Sequence, residues 1–289
     1  MNVAIVGSSG YIAKYIIQRF EQESNIEEIL RIGHTHGTGI QLDLSEPERF
    51  EYDRLDNMDF VVFTAAISQP DKCAEDYKYC WSVNVTGTIY FIQKAIKKGC
   101  KVLFFSSDAV FGDTVGRIYT EHSKLDAGTP YGCMKKAVEE QFEKERDFKA
   151  LRLPYVVSAE DRFVSYCLSC IKKKEPANIF HPFYRNCITV KDVVQVVCWF
   201  VGHWEEYPAT VLNVAGKELI SRVRIADELN RFLGDSLEYE VSFPGNVFFQ
   251  NRPKITQMQS LYLQKYHILD EESFTEKFKK ELEVVKNVY

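Results

Sequence analysis

Short apolar runs alternate with longer amphipathic segments through the first half of the chain. The runs are rich in β-branched residues and have the length of strands, whereas apolar positions in the longer segments recur three or four residues apart, as in helices. Strands that alternate with helices in this way predict an α/β fold, a Rossmann-type doubly wound parallel sheet. The predicted strands are Val3–Val6, Glu28–Ile32, Phe60–Thr64, Lys101–Ser106 and Ala150–Leu153, and the predicted helices are Gly10–Glu23, Lys72–Lys98 and Pro130–Arg146.

The alternation changes after Leu153. Short helices and a proline-bearing stretch follow, then a helix at Val190–Val201 and a strand at Thr210–Val214 return to the first pattern, before a helical C-terminal tail. No repeat or flexible linker separates the parts, so we expect two parts that share an interface. The predicted division is a dinucleotide-binding domain at 1–155 with a return segment at about 190–215, and a smaller C-terminal substrate-binding lobe at 156–189 and 216–289.

Composition and charge favour a small ligand over a polymer or a membrane. The 289 residues are 45% hydrophobic and 13% aromatic, enough for a large core, and the formal net charge is −5. A negative chain has no global electrostatic reason to bind nucleic acid or an anionic membrane. No run approaches the roughly 18 apolar residues of a membrane span. The chain begins with an apolar strand and has neither a basic leader nor a small-residue cleavage site, so we expect a cytoplasmic protein.

Eight cysteines are scattered along the chain. In a reducing compartment they predict buried thiols rather than disulfides. Cys167 and Cys170 form a C-x-x-C pair, but a zinc site needs a second pair or histidines at matching spacing, and the sequence has neither. We therefore expect no metal site.

A glycine-containing loop follows the first predicted strand. Residues 7–13 read G-S-S-G-Y-I-A, and glycines at 7 and 10 permit a tight turn and a close approach of the backbone to a pyrophosphate. The N–H groups at the start of the next helix favour the same anion. A plain strand-to-helix turn is the competing interpretation, but the surrounding α/β pattern favours a dinucleotide.

The end of the second strand bears on the choice of cofactor. A site that selects NAD usually has an acidic residue there, whereas residues 33–36 read G-H-T-H. The missing acid leaves room for a 2′-phosphate, which His34 or Arg31 could partly neutralise, so NADP is favoured over NAD. Solvated surface histidines are the alternative. Asp43 could accept a hydrogen bond from an adenine amino group, or it could simply cap a helix before Pro47.

The strongest chemical signal combines Ser107 with Tyr131 and Lys135. Ser107 ends a predicted central strand, and the tyrosine and lysine lie four residues apart, on one face of a helix. A neighbouring ammonium can stabilise a phenolate and so adapt tyrosine to proton transfer near neutral pH. A lone Y-x-x-x-K is a weak signal. Together with a serine-ended strand and a glycine loop, it predicts carbonyl reduction by hydride transfer.

With these motifs the chain resembles the extended short-chain dehydrogenase/reductase family over nearly its full length. Residues 107–111, S-D-A-V-F, look most like the segment S/T-D-x-V-F of the dTDP-4-dehydrorhamnose reductases within it. The other segments that carry the resemblance are G-x-x-G-x-x-A at 7–13, T-A-A at 64–66, N-V-T-G-T at 84–88, L-P at 153–154 and N-V-A-G at 213–216.

The resemblance implies an NAD(P)H-dependent enzyme that reduces a keto group on a nucleotide-linked sugar of the 4-keto-6-deoxy type. Ser107, Tyr131 and Lys135 would be its catalytic trio. The expected cofactor contacts are Gly7, Ser9, Gly10, Tyr11, Ile12, His34, Asp43, Leu44, Ala65, Ala66, Asn84, Lys135 and Pro154, and the expected substrate contacts are Ser68, Asp108, Arg185 and Arg252.

One departure from the family limits the reaction. Sugar 4,6-dehydratases place a glutamate after the aspartate of this segment, and here that position is Ala109, so the sequence argues against dehydration. A nucleotide-sugar 4-epimerase stays open, because it uses the same tyrosine and lysine. A non-catalytic NADP-binding regulatory protein also stays open. The family further suggests a homodimer, with helices Lys72–Lys98 and Pro130–Arg146 as the natural interface.

Overall fold

The computed structural model describes residues 1–34, 39–114 and 116–286. All the pairings in its central sheet are parallel, which confirms the predicted Rossmann-type architecture. With strands numbered along the chain, the order across this sheet is β12 (Val211–Asn213), β7 (Phe148–Leu153), β5 (Lys101–Ser107), β4 (Phe60–Phe63), β1 (Asn2–Val6), β2 (Glu28–Gly33) and β3 (Ile40–Gln41).

Helices cover both faces of this sheet, and a further set belongs to the C-terminal part. Helix α1 begins at Tyr11, directly after the glycine loop, and α5 begins at Pro130, where proline lacks only an N–H that a first turn leaves unpaired. The helices are α1 (Tyr11–Phe20), α2 (Pro70–Glu75), α3 (Tyr77–Trp81), α4 (Thr88–Lys97), α5 (Pro130–Gln141), α6 (Arg162–Lys173), α7 (Val190–His203), α8 (Arg222–Phe232), α9 (Asn246–Phe249) and α10 (Phe274–Leu282).

Strand β1 divides the core into two layers because successive side chains of a strand point to opposite faces. Val3 and Ile5 belong to the layer that α1 and α7 cover, together with Phe200. Ala4 and Val6 belong to the other layer, with Phe91 of α4. Burial of both faces explains why the central strands are continuous apolar runs.

Two of the predicted helices end differently in the structure. The segment Lys72–Lys98 is not one helix: α2 stops before Asp76, α3 follows it, and a π-helical turn at Ser82–Gly87 precedes α4. Asp76 has a non-helical backbone, with φ −121° and ψ 58°. Helix α5 stops at Gln141 rather than Arg146.

A second part of the structure, called the second lobe below, is built around a four-stranded sheet whose strands come from separate stretches of chain. Its four-stranded sheet has the order β13 (Ile220–Ser221), β10 (Tyr184–Arg185), β15 (Ile255–Met258) and β6 (Ile118–Tyr119). Strand β6 comes from the connection between β5 and α5, so the first half of the chain contributes to this sheet. Two-stranded pairings join β8 (Val156–Val157) to β11 (Ile188–Thr189), and β9 (Ala177–Phe180) to β14 (Tyr239–Ser242).

The C-terminal tail is less helical than its pattern predicts. Strand β15 and a run of turns occupy most of it before α10, and His267 has a positive φ of 51°. Its apolar residues, Leu263 and Ile268, pack against the core layer that contains α1 and α7. No helix in the described ranges is long and apolar enough to cross a membrane.

Candidate active site

The strand order reverses at β1, since β2 and β3 lie on one side of it and β4, β5, β7 and β12 on the other. A crevice forms at such a switch point, outside the carboxyl ends of the strands. The loops after β1, β4, β5 and β7 carry most of the residues singled out from the sequence.

The loop after β1 is shaped for a close approach. Gly7 has φ +87°, and a Cβ there would lie 2.8 Å from both the backbone nitrogen of Ala65 and Oγ1 of Thr64. The Gly7 amide donates to the carbonyl of Ile32 at 2.8 Å, and among the described residues no side chain caps α1 at Gly10. Ala13, fully buried, lets α1 pack against the sheet. The loop therefore fits a pyrophosphate held by backbone amides at a helix N-terminus.

Three further cofactor candidates lie beside this loop. Ser9 is exposed and Ile12 is half-buried. The hydroxyl of Tyr11, also half-buried, donates to the hydroxyl of Ser158, beyond β8. Burial raises the pKa of Tyr11. The Tyr11 hydroxyl therefore connects α1 to the segment after β8.

The region after β2 and β3, where we expect the adenosine from the sequence, is described in part. His34 is exposed after β2, while Arg31 pairs with Glu21; the rest of the histidine loop, 35–38, lies outside the described residues. Asp43 accepts hydrogen bonds from the amide (2.8 Å) and hydroxyl (2.7 Å) of Ser45. These bonds lower its pKa, so Asp43 is a charged acceptor within a tight local turn.

Asn84 fixes the backbone that follows β4. Its Oδ1 accepts from the amide of Ile67 at 2.8 Å, and its Nδ2 donates to the carbonyl of the same residue at 2.9 Å. The side chain is 2% exposed. Asn84 thereby holds the segment that carries Ala65 and Ala66, both half-buried, and the exposed Ser68.

Ser107, Tyr131 and Lys135, called the trio below, lie where β5 adjoins the start of α5. The Oγ of Ser107 accepts from the amide of Ala109 at 3.2 Å and lies 3.1 Å from a carboxylate oxygen of Asp108. Helix α5 packs so closely that a Cβ on Gly132 would lie 2.1 Å from the carbonyl oxygen of Ala109. Tyr131 precedes that glycine, so the serine and the tyrosine are held on abutting segments.

Lys135 is buried beneath Tyr131. Its Nζ donates to the carbonyl of Phe105 at 2.7 Å and lies 4.4 Å from the ring centre of Phe104 and 5.7 Å from that of Tyr131. Burial lowers the pKa of Lys135 to about 7, against opposing contributions from Glu139 and Cys73. Burial raises the pKa of Tyr131, and so do Cys73 and Asp108. In the protein alone, both groups are driven toward their neutral forms.

Asp108 connects the trio to the second lobe. Its Oδ2 lies 3.0 Å from Nε of Arg185 in a buried ion pair that is too poorly aligned for a hydrogen bond. Burial raises the pKa of Asp108, and the guanidinium opposes this. The other nitrogens of Arg185 donate to the carbonyls of Tyr184 (2.6 Å) and Pro253 (2.7 Å). Most of its donors are therefore engaged within the protein.

Two more arginines lie near Arg185. Arg252 pairs with Asp71 at the start of α2. Arg222 lies over the ring of Phe183, with its guanidinium carbon 4.6 Å from the ring centre, and Arg185 lies at the same distance from that ring. Burial lowers the pKa of Arg222, as do the charges of Arg185 and Arg252.

Arg222 is a functional candidate that the sequence interpretation missed. Its Nε is buried without a hydrogen bond in the described residues. A narrow hollow of about 10 Å³ lies between Arg222, Arg185 and Phe183. Nothing in the local sequence around Ile220-Ser221-Arg222 marks it, since its significance comes from the other two arginines. Arg185 and Arg252 pair with Asp108 and Asp71, so Arg222, with its unbonded Nε, is the arginine of the three that is best able to bind a further anion.

Three features remain: the candidate Pro154, a separate cavity and the cysteine pair. Pro154 is buried directly after β7. A cavity of about 480 Å³ lies elsewhere, between α7, α10 and the loop at 215–218, and none of the trio lines it. The described residues hold no group of three metal-ligating side chains, and Cys167 and Cys170 are buried free thiols.

Comparisons with known proteins bear on the family and the fold. A model of the NAD dependent epimerase/dehydratase family matches residues 3–215. The spore coat polysaccharide biosynthesis protein SpsK of Bacillus subtilis (strain 168) is 23% identical over 176 residues, 55% of this chain and 62% of that protein. The match thus spans less than two thirds of that relative.

Solved structures resemble the chain over its whole length. A dTDP-4-dehydrorhamnose reductase from Clostridium acetobutylicum ATCC 824 aligns with a TM-score of 0.85 at 18% identity, covering 99% of this chain and 100% of that one. A UDP-glucuronic acid 4-epimerase from Bacillus cereus, in complex with UDP-4-deoxy-4-fluoro-glucuronic acid and NAD, aligns with a TM-score of 0.81 at 18% identity, covering 100% of both chains. At these identities the likeness establishes a common fold.

Proposed function

The chain belongs to the NAD dependent epimerase/dehydratase family, and we propose that it is an NAD(P)H-dependent reductase of a keto group on a nucleotide-linked sugar. This membership confirms the family resemblance drawn from the sequence. The observation that carries the proposal is the link between the trio and the arginines: Asp108, next to Ser107, pairs with Arg185, which shares the ring of Phe183 with Arg222. The trio supports carbonyl chemistry, and the arginines support an anionic diphosphate on the same substrate.

The residues divide the work as follows. The Gly7–Gly10 loop and the start of α1 hold the pyrophosphate of the cofactor, which supplies hydride when bound. Ser107 donates a hydrogen bond from its hydroxyl to the substrate carbonyl oxygen and orients it. Tyr131 transfers its phenolic proton to that oxygen as the alkoxide forms. Lys135, in its ammonium form, stabilises the phenolate that remains.

NADPH is the proposed cofactor over NADH. Strand β2 ends in Gly33 followed by the exposed His34, so the described residues place no carboxylate at the end of β2 to bind the ribose hydroxyls. Fluorescence titration of the purified protein with the two reduced cofactors tests this directly. Tighter binding of NADH would reverse the assignment, and binding of neither would remove the basis of the proposed function.

The decisive assay is loss of reduced-cofactor absorbance on addition of nucleotide-linked 4-keto sugars. We expect oxidation with the wild type and at least a hundredfold loss with Tyr131→Phe, since a positioned acid contributes about 10²–10⁴ in rate. Oxidation that survives in the Tyr131→Phe variant would contradict the proposed role of the phenol.

Arg222→Met tests the anion site. We expect the KM for the nucleotide-linked sugar to rise about tenfold to a hundredfold, the loss expected for a hydrogen bond to a charged group. Arg231→Met is the matched control, because Arg231 lies on the same helix with its side chain 68% exposed and pairs with Glu228. An equal KM in the two variants would exclude Arg222 from the substrate site.

A nucleotide-sugar 4-epimerase is the second candidate, because the same trio serves it and the epimerase from Bacillus cereus shares the fold along the entire chain. An epimerase would interconvert two sugars without net consumption of reduced cofactor, so the absorbance assay separates the two. A regulatory protein would bind cofactor without turning over any sugar. The domain division, the homodimer and the cytoplasmic location stay predictions, and sedimentation velocity would test the homodimer.

A further inference from the structure

A buried ion pair lies directly behind the catalytic helix, outside the residues assigned above. Glu139 on α5 receives Nε of Arg152 at 3.0 Å and Nη2 at 2.7 Å, a two-pronged contact. The two side chains are only 3% and 4% exposed. The other carboxylate oxygen of Glu139, Oε1, accepts from the hydroxyl of Ser106 and, at 3.2 Å, from Nε of Arg152.

These contacts connect three elements of the candidate site. Ser106 immediately precedes Ser107 at the end of β5, Arg152 precedes Leu153 at the end of β7, and Glu139 lies one helical turn beyond Lys135 on α5. Arg152 also donates from Nη1 to the carbonyl of Glu121 at 3.4 Å. The pair therefore joins the strand that ends in the serine to the helix that carries the tyrosine and the lysine.

The surroundings of Lys135 explain why a negative charge at this place matters. The ammonium faces a carbonyl of β5, the rings of Phe104 and Tyr131, and the Cys73 thiol from α2. Burial lowers its pKa to about 7, and Glu139 makes the largest opposing contribution. Arg152 faces Glu139 from β7 and reduces the field that reaches the amine.

We propose that Glu139, held by Arg152 and Ser106, is a positioning residue that keeps Lys135 protonated and holds α5 in register with the strand that ends in Ser107. The proposal rests on the function proposed for the trio. A buried ion pair seldom improves stability over apolar side chains of similar size. A pair retained one turn from a buried amine therefore fits an electrostatic role better than a purely structural one.

Glu139→Gln tests this proposal, with Glu140→Gln as the matched control. Glu140 is the next residue of the same helix, is exposed, and pairs only loosely with Lys136, at 3.6 Å. The readout is the titration of Lys135 by NMR of protein with ¹³Cε-labelled lysine, in which Lys135→Arg identifies the resonance. This measurement requires no catalytic turnover.

We expect the Lys135 titration to move to lower pH by about one to two units in Glu139→Gln and to stay unchanged in Glu140→Gln. A unit charge about 6–10 Å from the amine has this effect at an effective dielectric constant of about 20, and the heads of two side chains one helical turn apart can lie within that range. The high-pH limb of kcat should move by the same amount. Equal titrations in the two variants would overturn the proposal.

A second variant covers the case in which Glu139→Gln does not fold because Arg152 is left buried without a partner. Glu139→Met with Arg152→Met replaces the whole pair by apolar side chains and should fold. We expect its Lys135 titration to move in the same direction but less far, because the opposing guanidinium is also gone. A wild-type titration in this variant would likewise refute the role. A moved titration without cofactor oxidation would instead refute the proposed function and leave this inference standing.

Discussion

Gly132→Ala should separate the serine from the tyrosine. A Cβ at this position would lie 2.1 Å from the carbonyl oxygen of Ala109, 2.9 Å from its carbonyl carbon and 3.0 Å from Oγ1 of Thr129. Cβ atoms in real proteins keep at least about 3.0 Å from such atoms, so the oxygen contact requires a displacement of about 0.9 Å, or 3.0 minus 2.1. Backbone lies on both sides, so α5 must move away from the segment that follows Ser107.

Two magnitudes follow from that displacement. Overpacking of this kind destabilises by about 1–3 kcal/mol, which lowers Tm by about 2–5 °C for a chain of this size. A misplacement near 1 Å reduces kcat by about a hundredfold when it separates reacting groups. Gly128→Ala is the matched control, because a Cβ at Gly128 would meet nothing within 4 Å.

The assays are thermal unfolding and single-turnover oxidation of NADPH with the nucleotide-linked 4-keto sugar identified as substrate. Single turnover isolates the chemical step from product release. A Gly132→Ala protein with the Tm and the single-turnover rate of Gly128→Ala would refute the reasoning. A lower Tm with a normal rate would show that the helix moves without carrying the phenol away from the serine.

Three further changes have defined outcomes. Gly87→Ala would place a Cβ 1.8 Å from the carbonyl oxygen of Leu44, so we expect weaker NADPH binding in a fluorescence titration; an unchanged Kd would contradict the expected contact at Leu44. Burial raises the pKa of Glu281 to about 7 from 4.5, so the folded protein binds more protons in that window and loses stability as pH rises through it. Glu281→Gln should therefore gain up to about 3 kcal/mol over wild type at pH 8 and little at pH 4.5, as measured by thermal unfolding. Thr189→Ala removes the reciprocal cap with Asp192 at the start of α7 and should cost about 1–2 kcal/mol in urea unfolding, whereas Thr189→Ser should restore most of it.

The central sheet could be predicted from the sequence because parallel strands buried on both faces are continuous apolar runs. The prediction of one helix at Lys72–Lys98 was wrong because the helical spacing of apolar residues continues through the break at Asp76. No proline or glycine beside Asp76 signals that break. The lobe strands of two to four residues are too short for a periodic signal. The tail near Ile255–Met258 becomes a strand only because β10 and β6 lie beside it.

The candidate site could likewise be predicted from the sequence only in part. Gly7 and the Tyr131–Lys135 pair are recognised by spacing within one element, which a sequence displays directly. Arg222 cannot be recognised in this way, because it becomes a candidate only through its proximity to Arg185 and Arg252. These lie 37 residues before it and 30 residues after it. Contacts between such distant positions are set by tertiary packing, which local periodicity does not encode.

Strand β6, at Ile118–Tyr119, lies in sequence between Ser107 and Tyr131, yet it pairs with β15 in the sheet of the second lobe. Asp113, on the same connection, accepts hydrogen bonds from the amides of Lys254 (2.9 Å) and Ile255 (3.2 Å). The segment that joins Ser107 to Tyr131 is thus anchored to the second lobe. For the proposed reaction we expect a sugar fragment that lacks the diphosphate to react more slowly even when it saturates the enzyme, because binding energy from a remote part of a substrate can serve to align the reacting groups. Such a result would show that binding at the second lobe and alignment of Ser107 with Tyr131 are coupled through this segment.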